Sequence, residues 1–227
     1  MSLLCLLATR SALRAGMADP ASWLTATERA RFAAFGTGAR RDVFLVGRWL
    51  ARQAVREWRG DDGVVELEVA DSGACRVARP DGVFVSISHS GDQVACAVAA
   101  VPVGVDIERL GARARDHLAL ARAVHGPAQQ EQLRQLPPQA RERHFLQLWT
   151  LKEAWLKARE QGLDFALMRA MAFDESADGD GGDVAVTEDG ATIVAIATRA
   201  DLPAVITPLN AAQMQTAPEW RRYRSRC

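Results

Sequence analysis

Lysine is almost missing from this chain of 227 residues: only Lys152 and Lys157 occur among its 28 basic side chains, and the other 26 are arginine. Both lie in one segment, Trp149-Thr150-Leu151-Lys152-Glu153-Ala154-Trp155-Leu156-Lys157. In a chain so biased toward arginine, a lysine marks a place that needs a compact ammonium with a shiftable pKa, which a guanidinium does not supply. The segment points to proton transfer or phosphate chemistry, with two neighbours on a solvated helix as the plainer reading. A net charge is also lacking, since 28 acids balance the 28 bases, which argues against a protein that coats polyanions such as nucleic acid. Cysteine is sparse. Cys5, Cys75, Cys96 and Cys227 form no C-x-x-C pair, and no histidine stands at zinc spacing, so neither a metal knuckle nor a disulfide framework is supported and a reduced cytoplasm is expected. The longest apolar stretch, Val94 to Val105, is interrupted by Pro102 and Gly104, so no membrane span is expected. The apolar start Leu3-Leu4-Cys5-Leu6-Leu7-Ala8 is too short for a signal-peptide core, has no basic residue before it, and reads as an edge strand.

What is present suffices for a sizeable core: 48% of the residues are apolar, enough for one large domain or two small ones. Charge is uneven, with ten Arg against four acids over 1–59 and seven acids without a base over 174–189, so one part is a candidate receiver of an anionic ligand or acidic partner. Thr25 and Glu28 form a T-x-x-E capping box opening a helix to about Phe35, and a second helix is expected over about 41–58. Strands follow at about 64–69, 75–78, 83–88, 93–101 and 103–108, punctuated by Asp71-Ser72-Gly73, Pro80-Asp81-Gly82 and Ser90-Gly91-Asp92. Helices are predicted over about 114–124, 127–136 and 139–161, then strands at about 170–174, 184–188, 191–198 and 203–207. This is an α+β pattern with approximate internal duplication. Residues 175–183 read as a mobile surface connection, and residues 211–227 show no core pattern.

Three short segments carry chemistry. In Gly104-Val105-Asp106-Ile107-Glu108, strand alternation sends both carboxylates to one face. Two such oxygen ligands suit Mg²⁺, which fills its octahedron with water and phosphate oxygens; a solvated strand face is the alternative. In the lysine segment, Glu153 and Lys157 stand at i and i+4, able to serve as base or ligand and as phosphate partner, or to form an ordinary exposed ion pair. Trp149 and Trp155 read as core anchors. Val85-Ser86-Ile87-Ser88-His89-Ser90-Gly91 ends a strand in hydroxyls, an imidazole and a glycine turn, which is either a phosphate cradle or simply a turn. A Ser-His nucleophile pair is disfavoured because neighbouring strand residues point to opposite faces and no G-x-S-x-G elbow is present.

Taken in order, S-H-S-G, G-V-D-I-E and W-T-x-K-E-A-x-x-K resemble the 4′-phosphopantetheinyl transferase superfamily, in its longer monomeric branch of the surfactin-synthetase-activator type. The resemblance in layout covers most of residues 20–205, with its specificity in about 25 of them. It implies two similar α/β halves related by pseudo-two-fold symmetry, antiparallel sheets packed with helices, and a site in the cleft between halves. The expected division is 1–103, 104–210 and a tail 211–227. The implied reaction moves the phosphopantetheine arm of coenzyme A onto a serine of an apo carrier protein, with Mg²⁺, releasing adenosine 3′,5′-bisphosphate. Asp106, Glu108 and Glu153 match the family's metal acids, and Glu153 would also take the serine proton. Lys157 matches the lysine that stabilises or protonates the departing bisphosphate, and Lys152 is expected on the same phosphates. Ser88 and His89 match the nucleotide-phosphate contacts, His89 at the 3′-phosphate. Arg41, with Arg40 behind it, is the candidate for the N-terminal nucleotide contact. Many relatives carry G-K-P where this chain reads Gly73-Ala74-Cys75-Arg76, so either Arg76 substitutes for a phosphate-binding lysine or coenzyme A binds more weakly; Glu160 stands where a glycine is common. The helices between Asp116 and Arg143 are candidates for the carrier contact. A non-catalytic coenzyme A or carrier-binding module and a Mg²⁺-dependent nucleotide phosphoesterase are the rival classes.

Overall fold

A computed structural model describes residues 2–112, 114–176, 181–203, 205–209 and 219–226. The first strand, β1 (Leu3–Thr9), leads through α1 (Arg10–Ala15) into α2 (Ala26–Ala33) and the long α3 (Gly38–Arg59). The capping box at Thr25 and Glu28 forms as the sequence predicts. Glu28 does more than cap: it is fully buried, and Arg52 grips both its oxygens at 3.0 and 2.6 Å, tying α2 to α3. Strands β2 (Glu66–Val69), β3 (Cys75–Arg79), β4 (Phe84–Ser90), β5 (Gln93–Ala99) and β6 (Val103–Arg109) follow, each within a few residues of its predicted position.

Helices α4 (His117–Val124), α5 (Pro127–Gln135) and α6 (Pro138–Ala158) come next, with Pro127 and Pro138 each at a helix start, where the missing N–H costs nothing. A short α7 (Phe165–Ala170), capped by the Asp164 side chain on Leu167 N, stands where no element was expected, and β7 (Ala172–Glu175) follows it close to its predicted position. The chain then forms β8 (Val184–Asp189), β9 (Thr192–Thr198), β10 (Ile206–Leu209) and β11 (Arg221–Arg226).

One sheet has the order β10-β1-β5-β4, a second has β6-β9-β8-β11-β7, and β2 and β3 form a separate ribbon. The architecture is α+β, with largely antiparallel sheets packed against helices, as the sequence pattern requires. Three apolar clusters result: α3 with one face of the first sheet, α4 to α7 with one face of the second, and a third in which Leu3, Cys5 and Ala97 meet Val105, Ile107 and Ile196. Each fully buried aliphatic side chain there contributes about 1.5–3 kcal/mol.

Two expectations are corrected. Leu3–Thr9 is not an edge strand but lies between β10 and β5, because it is apolar on both faces and both are covered. The tail is not patternless: Arg221–Arg226 is a strand between β8 and β7. Its arginines pair with acids, Arg226 with Asp174 and Arg221 with Glu188 of the acidic stretch, and Arg224 with Asp201. Residues 211–218, and 177–180 of the expected surface connection, lie outside the described residues. Among the described residues Cys5, Cys75 and Cys96 are free thiols, and no helix is long and apolar enough to cross a membrane.

Candidate active site

The two larger sheets meet at β4 and β6, and serine hydroxyls stitch the seam. Strand alternation turns Ser86, Ser88 and Ser90 to this side, all buried. Val105 N donates to Ser86 Oγ at 3.0 Å and Arg109 N to Ser90 Oγ at 3.2 Å. Ser88 Oγ donates to Asp106 Oδ1 at 2.7 Å, and Ser90 Oγ to Glu108 Oε2 at 2.8 Å. Asp106 and Glu108 thus share one face of β6, as alternation predicts.

Helix α6 closes over that face because Gly104 lets it. A Cβ built there would lie 1.9 Å from the Ala154 carbonyl oxygen and 2.5 Å from Ala158 N, so the strand and helix backbones touch where only glycine fits. Across this contact Lys157 Nζ reaches Asp106 Oδ1 at 2.7 Å, Ser88 Oγ at 3.1 Å and the Val105 carbonyl at 3.1 Å. Lys157 therefore pairs with Asp106 and not with Glu153, its i−4 neighbour. Glu153 has no hydrogen bond or ion pair among the described residues. Burial, then the charge of Asp106, pushes its carboxyl up to about 7, with Lys157 pulling the other way. Burial likewise raises Glu108 from its ordinary value, against its bond from Ser90.

The donor set fits a divalent cation in one respect and limits it in another. Asp106 Oδ2 is buried without any hydrogen-bond partner among the described residues, an oxygen left over after Oδ1 has taken Ser88 and Lys157. Crowded carboxyls with raised pKa values, beside an unpaired buried oxygen, are what a cation would relieve. Yet among the described residues no three acidic, His or Cys side chains converge on one point. The site suits an ion that takes one or two carboxylates and completes its shell from phosphate and water, as Mg²⁺ does.

Lys152 is corrected. It sits five residues from Lys157, so its side chain leaves α6 roughly 140° round the helix. It is fully buried, and its three N–H bonds go to the Val124 carbonyl at 2.7 Å, Gln129 Oε1 at 2.7 Å and His125 Nδ1 at 3.1 Å. No phosphate reaches it there.

A cleft of about 1170 Å³ opens beside the seam, walled by the N-terminal half of α3, the β3–β4 region and the segment after α6. Lys157, His89, Arg40 and Arg76 all line it. His89 is exposed on the face of β4 opposite Ser88, and also borders a smaller hollow of about 280 Å³ that takes in Glu108, Arg115 and His117. Of the two candidate arginines at the start of α3, Arg40 is the one on the wall. Arg41 instead donates to the Phe35 carbonyl at 2.9 Å and lies over the Phe32 ring, because successive helical positions turn about 100° apart. Arg76 pairs with Glu160 across the cleft at 2.6 Å. Trp149 and Trp155 both pack in the core, Trp155 donating to Ser225 Oγ at 2.8 Å under the Arg159 guanidinium.

Three seam residues were not singled out from the sequence. Ser86 and Ser90 had a signal, the i, i+2 spacing to Ser88. Gly104 had one too, a glycine inside a strand run, which marks a bulge or a close backbone approach.

The chain matches known proteins in sequence. The model described as 4′-phosphopantetheinyl transferase N-terminal domain matches residues 27–100, and that of the 4′-phosphopantetheinyl transferase superfamily matches 102–199. The 4′-phosphopantetheinyl transferase HetI of Nostoc sp. is 29% identical over 208 residues, 89% of this chain and 73% of the relative. The 4′-phosphopantetheinyl transferase Sfp of Bacillus subtilis is 29% identical over 125 residues, 54% of either chain. A phosphopantetheinyl transferase of Thraustochytrium is 33% identical over 177 residues, 72% of this chain and 59% of the relative. The matched region thus spans little more than half of the Bacillus and Thraustochytrium relatives. The two family models adjoin at the turn between β5 and β6, next to the seam that holds Asp106, Ser88 and Lys157, and the chain belongs to the 4′-phosphopantetheinyl transferase superfamily.

Proposed function

We propose that this chain transfers the 4′-phosphopantetheine arm of coenzyme A to a serine of an apo carrier protein, releasing adenosine 3′,5′-bisphosphate. The observation that carries the reading is the seam itself: a buried acid with an unpaired oxygen, a carboxyl poised near neutrality and an ammonium stand together at the edge of a cation-lined cleft.

Coenzyme A lies in the cleft in this reading, its phosphates met by Arg40, Arg76, His89 and Lys157. Asp106 and Glu108, with Glu153 beside them, would hold Mg²⁺ against the pyrophosphate. The ion supplies charge neutralisation on the phosphate oxygens when bound. The serine oxygen attacks the phosphorus that carries pantetheine, the bond to the bridging oxygen breaks, and a serine phosphodiester forms. Glu153 takes the serine proton, for which a base with pKa near the working pH is best matched. Lys157 steadies the departing phosphate oxygen or gives it a proton. For that, the oxygen must take the place of one of Lys157's three present acceptors. Charge neutralisation and alignment are the main demands of phosphoryl transfer, so few residues suffice.

The carrier approaches over the helices between Asp116 and Arg143, where α4 and α6 leave an apolar hollow at Leu120, Phe145 and Trp149 with Arg115 at its side. Opposite charge on the carrier would steer that encounter. The enzyme is expected to act as a cytoplasmic monomer, divided near residue 103.

Intact-protein mass spectrometry of apo carrier proteins incubated with this chain, coenzyme A and Mg²⁺ tests the reading. One phosphopantetheine should appear on the carrier, and neither EDTA-treated protein nor the Glu153→Gln variant should add it. Bound coenzyme A with no carrier modified would point to a non-catalytic module, and coenzyme A cleaved without acceptor to a phosphoesterase.

A further inference from the structure

Among the described residues the cleft is lined by many cations and only two acids, Asp81 and Glu160. Glu160 is unusual in two ways. It is the one non-glycine residue with positive φ among those described, at 55°, a left-handed conformation that is strained for an L residue with a side chain. It is also fixed there by the end of α6, since Glu160 N donates to the Lys157 carbonyl and Gln161 N to the Leu156 carbonyl, both at 3.0 Å. One turn beyond Lys157, a strained and anchored backbone therefore aims a carboxylate across the cleft. Its target is Arg76 on β3, 84 residues away in sequence, at 2.6 Å, with both side chains roughly half exposed.

A guanidinium binds a carboxylate and a phosphate by the same fork. We propose that Glu160 is an internal competitor for phosphate: it occupies Arg76 across the mouth of the cleft, an entering nucleotide phosphate displaces it, and Glu160 thereby sets how tightly coenzyme A is held. This rests on the reading of the cleft as a coenzyme A site. The competing carboxylate is solvent-exposed and singly charged, so it delays the phosphate without excluding it. Displacement also frees the segment after α6 from β3, so ligand entry and release are coupled to the opening of this strap.

The test is titration calorimetry of coenzyme A, in Mg²⁺, into five proteins: the parent, Glu160→Gln, Glu160→Gly, Arg76→Gln and the Glu160→Gln, Arg76→Gln double variant. Glu160→Gln should bind about two- to five-fold tighter, the range expected when an exposed ion pair no longer has to be broken. Arg76→Gln should bind more weakly, and in its background Glu160→Gln should have no further effect. Glu160→Gly, which suits the left-handed backbone, should match Glu160→Gln and guards against a local folding effect. Unchanged or weaker binding by both Glu160 variants overturns the proposal while leaving the coenzyme A site intact. So does tightening that persists in the Arg76→Gln background, since that is general charge and not competition. A parent protein that binds no coenzyme A removes the reading beneath it, and the proposal with it.

Discussion

Lys152 and Lys157 leave the same helix, and their surroundings differ in kind. Lys152 is enclosed by three neutral acceptors from α4 and α5, with no acid in contact and no exposure. Lys157 meets Asp106, Ser88 and a carbonyl, and keeps about a quarter of its side chain open on the cleft. A lysine whose partners are a buried backbone oxygen, an amide oxygen and an imidazole nitrogen pins α6 to its neighbours. One that lies against an acid at a solvent edge can exchange partners with an incoming anion. Lysine thus stands at 152 for a structural reason and at 157 where the proposed chemistry would use it.

The comparison is broken most severely on the cleft face. Glu153→Gln removes a base without changing shape, and Lys157→Arg keeps charge while losing the compact donor. Each is expected to cut carrier modification by about 10²–10⁴-fold with an unchanged melting transition; near-parental turnover by either would remove that residue from the mechanism. Gly104→Ala acts on both faces at once. The added methyl cannot fit against the Ala154 carbonyl, so β6 and α6 must part and separate Asp106 from Lys157. A loss of about 1–3 kcal/mol in denaturant unfolding should accompany a loss of transfer, whereas a stable, active variant would show that the approach of the two backbones is not needed.

On the buried face, Lys152→Met keeps length and loses the ammonium. The Val124 carbonyl and His125 Nδ1 then lose the Lys152 donor and Gln129 Oε1 keeps only Gly126 N, at about 1–3 kcal/mol of stability, while the transfer rate of the folded protein should stay within a few-fold of the parent. A large rate loss without destabilisation would return Lys152 to the phosphates. The pH profile sharpens this. Burial lowers the Lys152 ammonium from 10.5 to about 7, so between those values the unfolded chain binds the extra proton and parental stability should rise with pH. The methionine variant should lack that rise when denaturant midpoints are compared across the range.

Much of the seam was legible in the sequence because its periodicities are short. Alternation placed Asp106 and Glu108 together and set Ser88 against His89, and the capping box fixed the start of α2. The side of α6 that faces the cleft was not legible, since buried residues surround that helix and no polar stripe distinguishes Lys152 from Lys157. Nor was β11, whose arginines read as solvated until Asp174, Glu188 and Asp201 are brought beside them. Of the acidic stretch, Asp174 and Glu188 meet β11 arginines, while the arginine-rich start of the chain puts Arg31, Arg40 and Arg48 on the cleft wall. The apolar run of β1 was itself the signal of a covered central strand, since an edge strand with one solvated face would alternate.

The smallest expected effect falls on the residue shared by the acid and the lysine. Ser88 donates to Asp106 Oδ1 and accepts from Lys157, yet it neither carries charge nor closes the backbone contact. Ser88→Ala leaves the Lys157–Asp106 pair in place with one fewer oriented partner, a loss of about 0.5–1.5 kcal/mol, or up to roughly tenfold in rate. If Ser88 only aligns that pair, the loss should appear in kcat with the apparent coenzyme A affinity nearly constant. If it touches a nucleotide phosphate, as the motif resemblance implies, the loss should appear in coenzyme A binding. The first outcome is the one its position favours, because Ser88 is buried behind Asp106 and Lys157 while His89, on the other face of the same strand, lines the cleft. Steady-state titration of coenzyme A at saturating carrier separates the two.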